Sequence, residues 1–543
     1  MRREKPLKYH LEIQRYKGNY AGLIRTSFRE EGKLKHTSHG RLTGMTLEEL
    51  KVVQAALRGD VVIKSSSDAV TTKESKEFGA SQALLKLARE LELDRIIYSR
   101  PHEQWVKDAL ALIVGRVVYA GSKLHLSCLA KDSALWELSG VEGAVDVDSH
   151  CYEAMDRLLT RQQAIQKALA RKHSTNGQLV LYDITSSYFE GEYAESDIVL
   201  FGYNRDGKKG HEQMVIGLIC SEEGCPIGVE VFPGNTQDAQ TVPEKIEEIQ
   251  RTYGIAELIF VGDRGMITSA NYEKVKDAPG LSTISALTHR EIASLLERKV
   301  IQPELFDEKE IVEVIDPDAP SVRYCLCKNE RVAAKEAKTR TALIERTTKA
   351  LDAIVHAKRK STPERIAARV GKILQKTRMG KFIDWEVEEG RLSYTIKDGK
   401  KSLEELLDGC YIIKSDVPPD RLDTQELVAS YKKLALVEQA FRNLKTVKLE
   451  IRPVYHKKDH RIRCHVFICM LAYYLQWHMT KRLKPLFASD KKGKKRQWTF
   501  ERVIERLKSI RREVVSTAGV PCKVVTEPDE DHRKILQLLK VSL

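Results

Sequence analysis

Three carboxylates lie far apart along the chain, and each stands where a structured element would hold it. Asp183 follows the apolar run Leu179-Val180-Leu181-Tyr182 and precedes Ile184-Thr185-Ser186-Ser187-Tyr188-Phe189. That pattern reads as a buried strand delivering a carboxylate to its own end. Alone, such an aspartate is as readily the start of a turn. Asp263 sits in Gly262-Asp263-Arg264-Gly265, directly after the short apolar strand Leu258–Val261. Glu438 belongs to a helical stretch, 424–445, whose apolar stripe is Leu427, Tyr431, Leu434, Val437, Phe441 and Leu444. Tyr431, Glu438 and Lys445 recur every seven residues, so they line one edge of that helix about 10 Å apart. Arg442 follows one turn after Glu438, which on its own reads equally as a surface i,i+4 pair worth a few tenths of a kcal/mol. Carboxylates are hard oxygen donors suited to Mg2+ or Mn2+. Three acids converging from three elements can share two such ions, whose charge offsets the repulsion between the acids. Two ions can activate an attacking oxygen and stabilise a leaving one. Asp183 is assigned to bridge both ions, with Asp263 and Glu438 each completing one.

The elements around these acids suggest how they meet. Strands are expected at Leu179–Ile184, at Tyr188–Glu192 after a bend, at Gln213–Cys220 and at Ile227–Phe232. A helix over Val242–Tyr253 and the strand Leu258–Val261 follow. A strand meander, a helix and a further strand is the order of an RNase H-like fold, a natural host for carboxylates at adjacent strand ends. Residues 291–420 interrupt it as an inserted domain, with strands near Ile311–Ile315, Val322–Cys327, Phe382–Val387, Arg391–Ile396 and Cys410–Lys414. Within it, a charged helix covers Arg331–Arg359, and Pro363 opens another. Asp423-Thr424-Gln425-Glu426 then caps a helix of about 20 residues. Asp459–Lys484 reads as a buried helix, on which His465 is a satisfied core histidine. The C-terminal part is helical to about Val514, with a strand near Cys522–Val525.

Upstream, residues 8–37 read as a β-meander, and Thr46-Leu47-Glu48-Glu49 is a capping box. Lys64–Lys76 is a Ser/Thr/Lys-rich connector. Residues 80–172 are helical, broken at Pro101, with Ser133 and Asp148 as caps. The fold class is therefore mixed α/β (α+β, multidomain), an RNase H-like core interrupted by an insertion and preceded by a β-then-helical region. The expected domains are 1–75, 76–175 (a DNA-binding or dimerisation region), 176–290, 291–420 and 421–543.

The 543 residues carry a formal charge of +14, which favours a polyanionic partner. The excess is concentrated: residues 481–512 hold 13 Lys and Arg against 3 acids, and residues 1–45 hold 11 against 4. Arg205 and Lys208 form a basic loop between strands, open to DNA contact or to plain solvation. Lys494 and Arg496 belong to a basic run suited to a DNA backbone. Ten cysteines without a zinc spacing read as reduced packing residues. The longest apolar runs fall short of a membrane span, so a cytoplasmic protein without a membrane partner is expected.

Taken together, the motifs resemble those of insertion-sequence transposases of the DDE type, in the branch with a Tyr-x2-Arg-x3-Glu-x6-Lys signature. Tyr431, Glu438 and Lys445 match that signature, and Leu434 stands where it has arginine. The likeness also covers Tyr182–Ser186, Gly202-Tyr203-Asn204-Arg205-Asp206-Gly207, Phe232-Pro233-Gly234-Asn235-Thr236 and Gly262–Gly265. The intervals of 80 and 175 residues between the acids fit a third acid on a late helix after an insertion. The resemblance implies Asp183, Asp263 and Glu438 as catalytic metal ligands for two Mg2+ or Mn2+ ions. It implies Tyr431, Arg442 and Lys445 at the DNA, and a homodimer on paired terminal inverted repeats in the bacterial or archaeal nucleoid. Water would cut at the element's end, and the freed 3′-hydroxyl would attack target DNA. A structure-selective nuclease without strand transfer and a non-catalytic DNA-binding protein are the alternatives.

Overall fold

The computed structural model describes residues 9–16, 19–30, 32–58, 71–174, 178–203, 210–237, 257–264, 266–267, 272–273, 278–302, 305, 311–357, 361–447, 449, 451–489, 498–517 and 520–543. The expected helix Val242–Tyr253 and the basic residues Arg205, Lys208, Lys494 and Arg496 lie outside them.

The chain opens with the antiparallel strands β1 (Tyr9–Tyr16), β2 (Asn19–Glu30) and β3 (Lys33–Leu42). Thr46 and Glu49 exchange the reciprocal bonds of a capping box and start the helix Leu47–Arg58. The expected connector is corrected over its second half, where β4 (Thr71–Glu77) pairs with the C-terminal segment Arg511–Thr517. No residue of β4 is apolar, so its extended state depends on that distant partner rather than on propensity. Helices occupy most of 79–173 around the buried Gln104–Val118. Ala134, not Ser133, stands at the N-cap of helix Leu135–Ser139, although the Ser133 hydroxyl accepts from the Leu135 N–H. Asp146, not Asp148, caps the turn at Val147–Tyr152, accepting from the Asp148 and Ser149 N–H groups.

The central sheet begins with β5 (Leu179–Tyr188), β6 (Gln213–Ser221), β7 (Pro226–Pro233), β8 (Leu258–Gly262) and β9 (Leu281–Ala286). β5, β6 and β7 form an antiparallel meander, and β8 runs parallel to β5 and to β9. β6 and β8 are buried along their whole length, as strands covered on both faces must be. Two expectations are corrected here. β5 runs unbroken to Tyr188 with no further strand over 189–192, and Asp183 is the fifth of its ten residues rather than its end. The small polar residues Thr185, Ser186 and Ser187 are buried and pair with Ile216, Val215 and Met214, so the ladder continues through them.

Beyond β9, residues 291–420, expected as an insertion, contribute β10 (Val312–Asp316) and β11 (Ala319–Lys328). Helices Glu330–Val355 and Pro363–Thr377, the latter with proline in its first turn, then pack with the hairpin β12 (Ile383–Glu388) and β13 (Arg391–Ile396). This unit has a core of its own, including Leu351, Val370 and Phe382. The chain returns through β14 (Cys410–Ser415), which pairs with β9. The eight-stranded order is β10-β11-β14-β9-β8-β5-β6-β7, so part of the insertion widens the core sheet while the rest folds beside it.

Helix Asp459–Arg482 is buried through its middle. The expected helix to Val514 is corrected: helix Phe500–Lys508 ends, β15 (Arg511–Thr517) and β16 (Val520–Val525) form a hairpin beside β4, and helix Glu530–Leu539 follows. Among the described residues, no single helix is long and apolar enough to cross a membrane.

Two glycines from the quoted motifs explain each other. A Cβ on Gly202 would lie 2.0 Å from the Gly234 carbonyl oxygen, and one on Gly234 would lie 2.0 Å from the Gln213 carbonyl oxygen. The buried Gln213 amide donates to the Gly234 and Tyr203 carbonyls, locking this junction. Gly234→Ala should therefore cost about 1–3 kcal/mol by overpacking, read as a lower urea midpoint. An unchanged midpoint would show that the junction gives way freely.

Candidate active site

The register of β5 against β8 brings two of the acids together. Tyr182 pairs with Gly262, so Asp183 and Asp263 are the next residues on neighbouring parallel strands. Adjacent strands lie about 4.8 Å apart, and paired positions share a face. Tyr182 itself points to the other face, fully buried, with its ring 5.6 Å from that of Phe260. It fixes the backbone on which Asp183 sits. Asp263 follows the last residue of β8 and is exposed, whereas Asp183 is half-buried.

The third acid comes from a helix that covers the same face. Asp423 and Glu426 form the expected capping box. The single expected helix of about 20 residues is corrected to two helices, Thr424–Lys432 and Leu434–Arg442, followed by a wide turn over Asn443–Val447. At the junction the Lys433 N–H bonds the Ser430 carbonyl, a tightened i−3 contact that interrupts the i−4 ladder. Thr424–Lys432 packs on β8 and β9, and Leu434–Arg442 packs on β5 and β6. Cys220 and Asp183 share one face of β5 and β6. Burial, and secondarily the Asp183 charge, push the Cys220 thiol above its ordinary range. Tyr473 of the buried helix feels Cys220 and bonds Asn443. A chain of neighbours thus links Asp183 to the helix of Glu438.

Tyr431 touches the site directly. Its hydroxyl donates to Asp263 Oδ1 at 3.3 Å. Burial, then the Asp263 charge, push the Tyr431 phenol well above its usual value, so it stays a donor. Glu438 is exposed and makes no hydrogen bond or ion pair with any described residue, so the i,i+4 pair with Arg442 is not formed. Among the described residues, the three acids do not form one group with all ligand atoms within 4.8 Å of one another; His173, Cys225 and His478 do. That second set is softer, with imidazole and thiol donors.

A family model described as the transposase DDE domain matches residues 175–475, more than half of the chain. The chain belongs to the DDE transposase family. No curated protein matches it. The match takes in the whole central sheet from β5 to β14, the insertion and all three acids. Where the DDE branch signature has arginine, Leu434 is buried in the main core, which explains an apolar residue there. Arg442 is exposed and Lys445 is half-buried in the wide turn.

A basic segment outside the expected DNA contacts also lies against aromatic rings in this DDE chain. The Arg452 guanidinium lies 4.2 Å from the Tyr188 ring centroid, Lys457 Nζ lies 3.9 Å from that of Tyr193, and the Arg461 guanidinium lies 4.4 Å from that of Tyr152. The signal was legible in Arg452-Pro453-Val454-Tyr455-His456-Lys457-Lys458, where bases and aromatics interleave. Phe201 and Tyr203 are also largely exposed.

The Tyr431 contact can be tested alone. Tyr431→Phe keeps the ring and removes the donor to Asp263. Metal-dependent DNA cleavage should fall about 10- to 100-fold, as when an outer partner of a metal ligand is lost, with an unchanged circular dichroism spectrum. Undiminished cleavage would show the bond to be idle.

Proposed function

We propose that the chain is a DNA transposase that cleaves the ends of an insertion sequence and joins them to target DNA. The observation that carries this reading is the side-by-side register of Asp183 and Asp263, beneath the helix of Glu438, in a member of the DDE family. The donor set fits Mg2+ or Mn2+, because all three groups are hard carboxylates and two are solvent-exposed. Asp183, Asp263 and Glu438 would hold the divalent ions in this reading. Ions held there would supply an activated oxygen nucleophile and stabilise the leaving oxygen.

The chain's own groups orient this chemistry. Tyr431 steadies one Asp263 oxygen and leaves the other for a ligand. Arg442 and Lys445, on the same stretch as Glu438, pair with phosphates of the bound strand. Arg205, Lys208, Lys494 and Arg496 extend that contact in the same reading, and Arg452, Lys457 and Arg461 join them. Double-stranded DNA bearing terminal inverted repeats is the substrate, target DNA the acceptor, and a homodimer on two paired ends the working form. The inserted unit over about 330–406 is a separate module beside the active sheet.

Asp183→Ala, Asp263→Ala and Glu438→Ala should each abolish Mg2+-dependent cleavage of terminal-repeat DNA, and with it strand transfer, while duplex binding persists. Full cleavage by all three variants would sink the proposal. Cleavage by the wild type without any joined product would point instead to a nuclease.

A further inference from the structure

Away from the three acids, a cavity of about 200 Å³ lies where the helical region before β5 meets the segment after the Glu438 helix. Its walls include Arg116, Lys123, Tyr152, Tyr455, His456 and His465. Arg116 and Lys123 are only 4% and 6% exposed, yet both are cations. Burying one such charge is costly unless an opposite charge or several acceptors offset it.

Arg116 Nη1 donates to the Gly121 carbonyl at 2.8 Å, whereas the donors of Lys123 outnumber its acceptors. His465 Nε2 lies 3.0 Å from the Ile451 carbonyl oxygen, which can only accept, so Nε2 carries the proton. Nδ1 is then an acceptor, and Lys123 Nζ donates to it at 2.7 Å. Arg116 Nη2, 3.2 Å from Nε2, therefore faces another donor. Lys123 has three N–H groups, and His465 takes one. Among the described residues, no carboxylate or other acceptor meets the remaining two. The nearby carboxylate of Asp156 is engaged outside the cavity by Arg461 and His460.

The electrostatics agree with this geometry. Burial, then Arg116, lowers Lys123 to about 7. Burial, then Lys123, Arg461 and Arg116, lowers His456 to about 3. Arg116 and Lys123 disfavour each other's charge, and no carboxylate is among the described residues lining the cavity. The rim is apolar and open: Tyr455 is 63% exposed and Leu124 57%. Arg461 and Lys457 continue the positive surface beside it.

We propose that this cavity is an oxyanion site that receives one phosphate of the bound DNA backbone, with Lys123 and Arg116 as donors and the sugar resting on Tyr455 and Leu124. The proposal rests on the DNA-handling function above. A free phosphate ion offers the same chemistry, so the test separates the two sources.

Ser122 supplies a selective probe. Its hydroxyl caps the short helix Lys123–Cys128, accepting from the His125 N–H at 3.0 Å, and it also lines the cavity. Aspartate caps equally well, so Ser122→Asp preserves the fold while bringing a resident carboxylate to the cations. The full-length wild type, Ser122→Asp and Lys123→Met are titrated with a fluorescent terminal-repeat duplex over a salt series, and with inorganic phosphate by calorimetry. Both variants should weaken duplex binding about tenfold, with the slope of log K against log salt reduced by about one. The thermal midpoint of Ser122→Asp should equal or exceed that of the wild type. Wild-type affinity and slope in Ser122→Asp would overturn the proposal. Phosphate binding lost in the variants with duplex affinity unchanged would assign the site to the free ion and overturn its DNA role. A wild type that binds no duplex at all would overturn the transposase reading as well.

Discussion

A parallel strand pair with Tyr182 opposite Gly262 leaves two aspartates as the next residues on adjacent strands. Two carboxylates held on neighbouring strands disfavour each other's ionisation. The fold must bear that cost before any partner arrives. It does so with a sheet buried on both sides, which leaves β5 and β8 no freedom to slip. A one-residue shift would turn Asp183 to the opposite face. The Tyr431 hydroxyl on Asp263 offsets part of the repulsion, and divalent ions would offset the rest.

Much of the remaining architecture supports this pair. Tyr182 and Phe260 fill the reverse face, while the helices carrying Tyr431 and Glu438 close the front. β10, β11 and β14 extend the sheet beyond β9 and lengthen the platform. Helix Asp459–Arg482 packs against β7 and against the helix Gln104–Val118, joining the N-terminal helices to the core. The cationic cavity lies on that seam. Buried cations therefore lie at the seam between the N-terminal helices and the core, and carboxylates at the sheet.

The sequence revealed what is local. Capping boxes at Thr46 and Asp423 and the apolar stripe from Leu427 to Leu444 are set by neighbours within a few residues, and the structure has them. The order of the core strands was legible for the same reason. Features set by distant partners were not. Thr71–Glu77 has no apolar residue and becomes β4 only through β15. Thr185-Ser186-Ser187 looks like a turn but is carried through the ladder by β6, so Asp183 sits mid-strand. β9, written Leu281-Ser282-Thr283-Ile284-Ser285-Ala286, hides its place in the sheet behind polar residues that are buried between β8 and β14. The pairing of Asp183 with Asp263 follows from a register that no spacing in the sequence encodes.

Joint binding of divalent metal by Asp183, Asp263 and Glu438 can be mapped in the absence of DNA. Iron(II) enters oxygen-rich divalent sites, and with peroxide and ascorbate it cuts a polypeptide near where it is bound. Cuts clustered around residues 183, 263 and 438, all suppressed by excess Mg2+, are the predicted result. Cuts confined to one of these segments, or to the region of His173, Cys225 and His478, would contradict it.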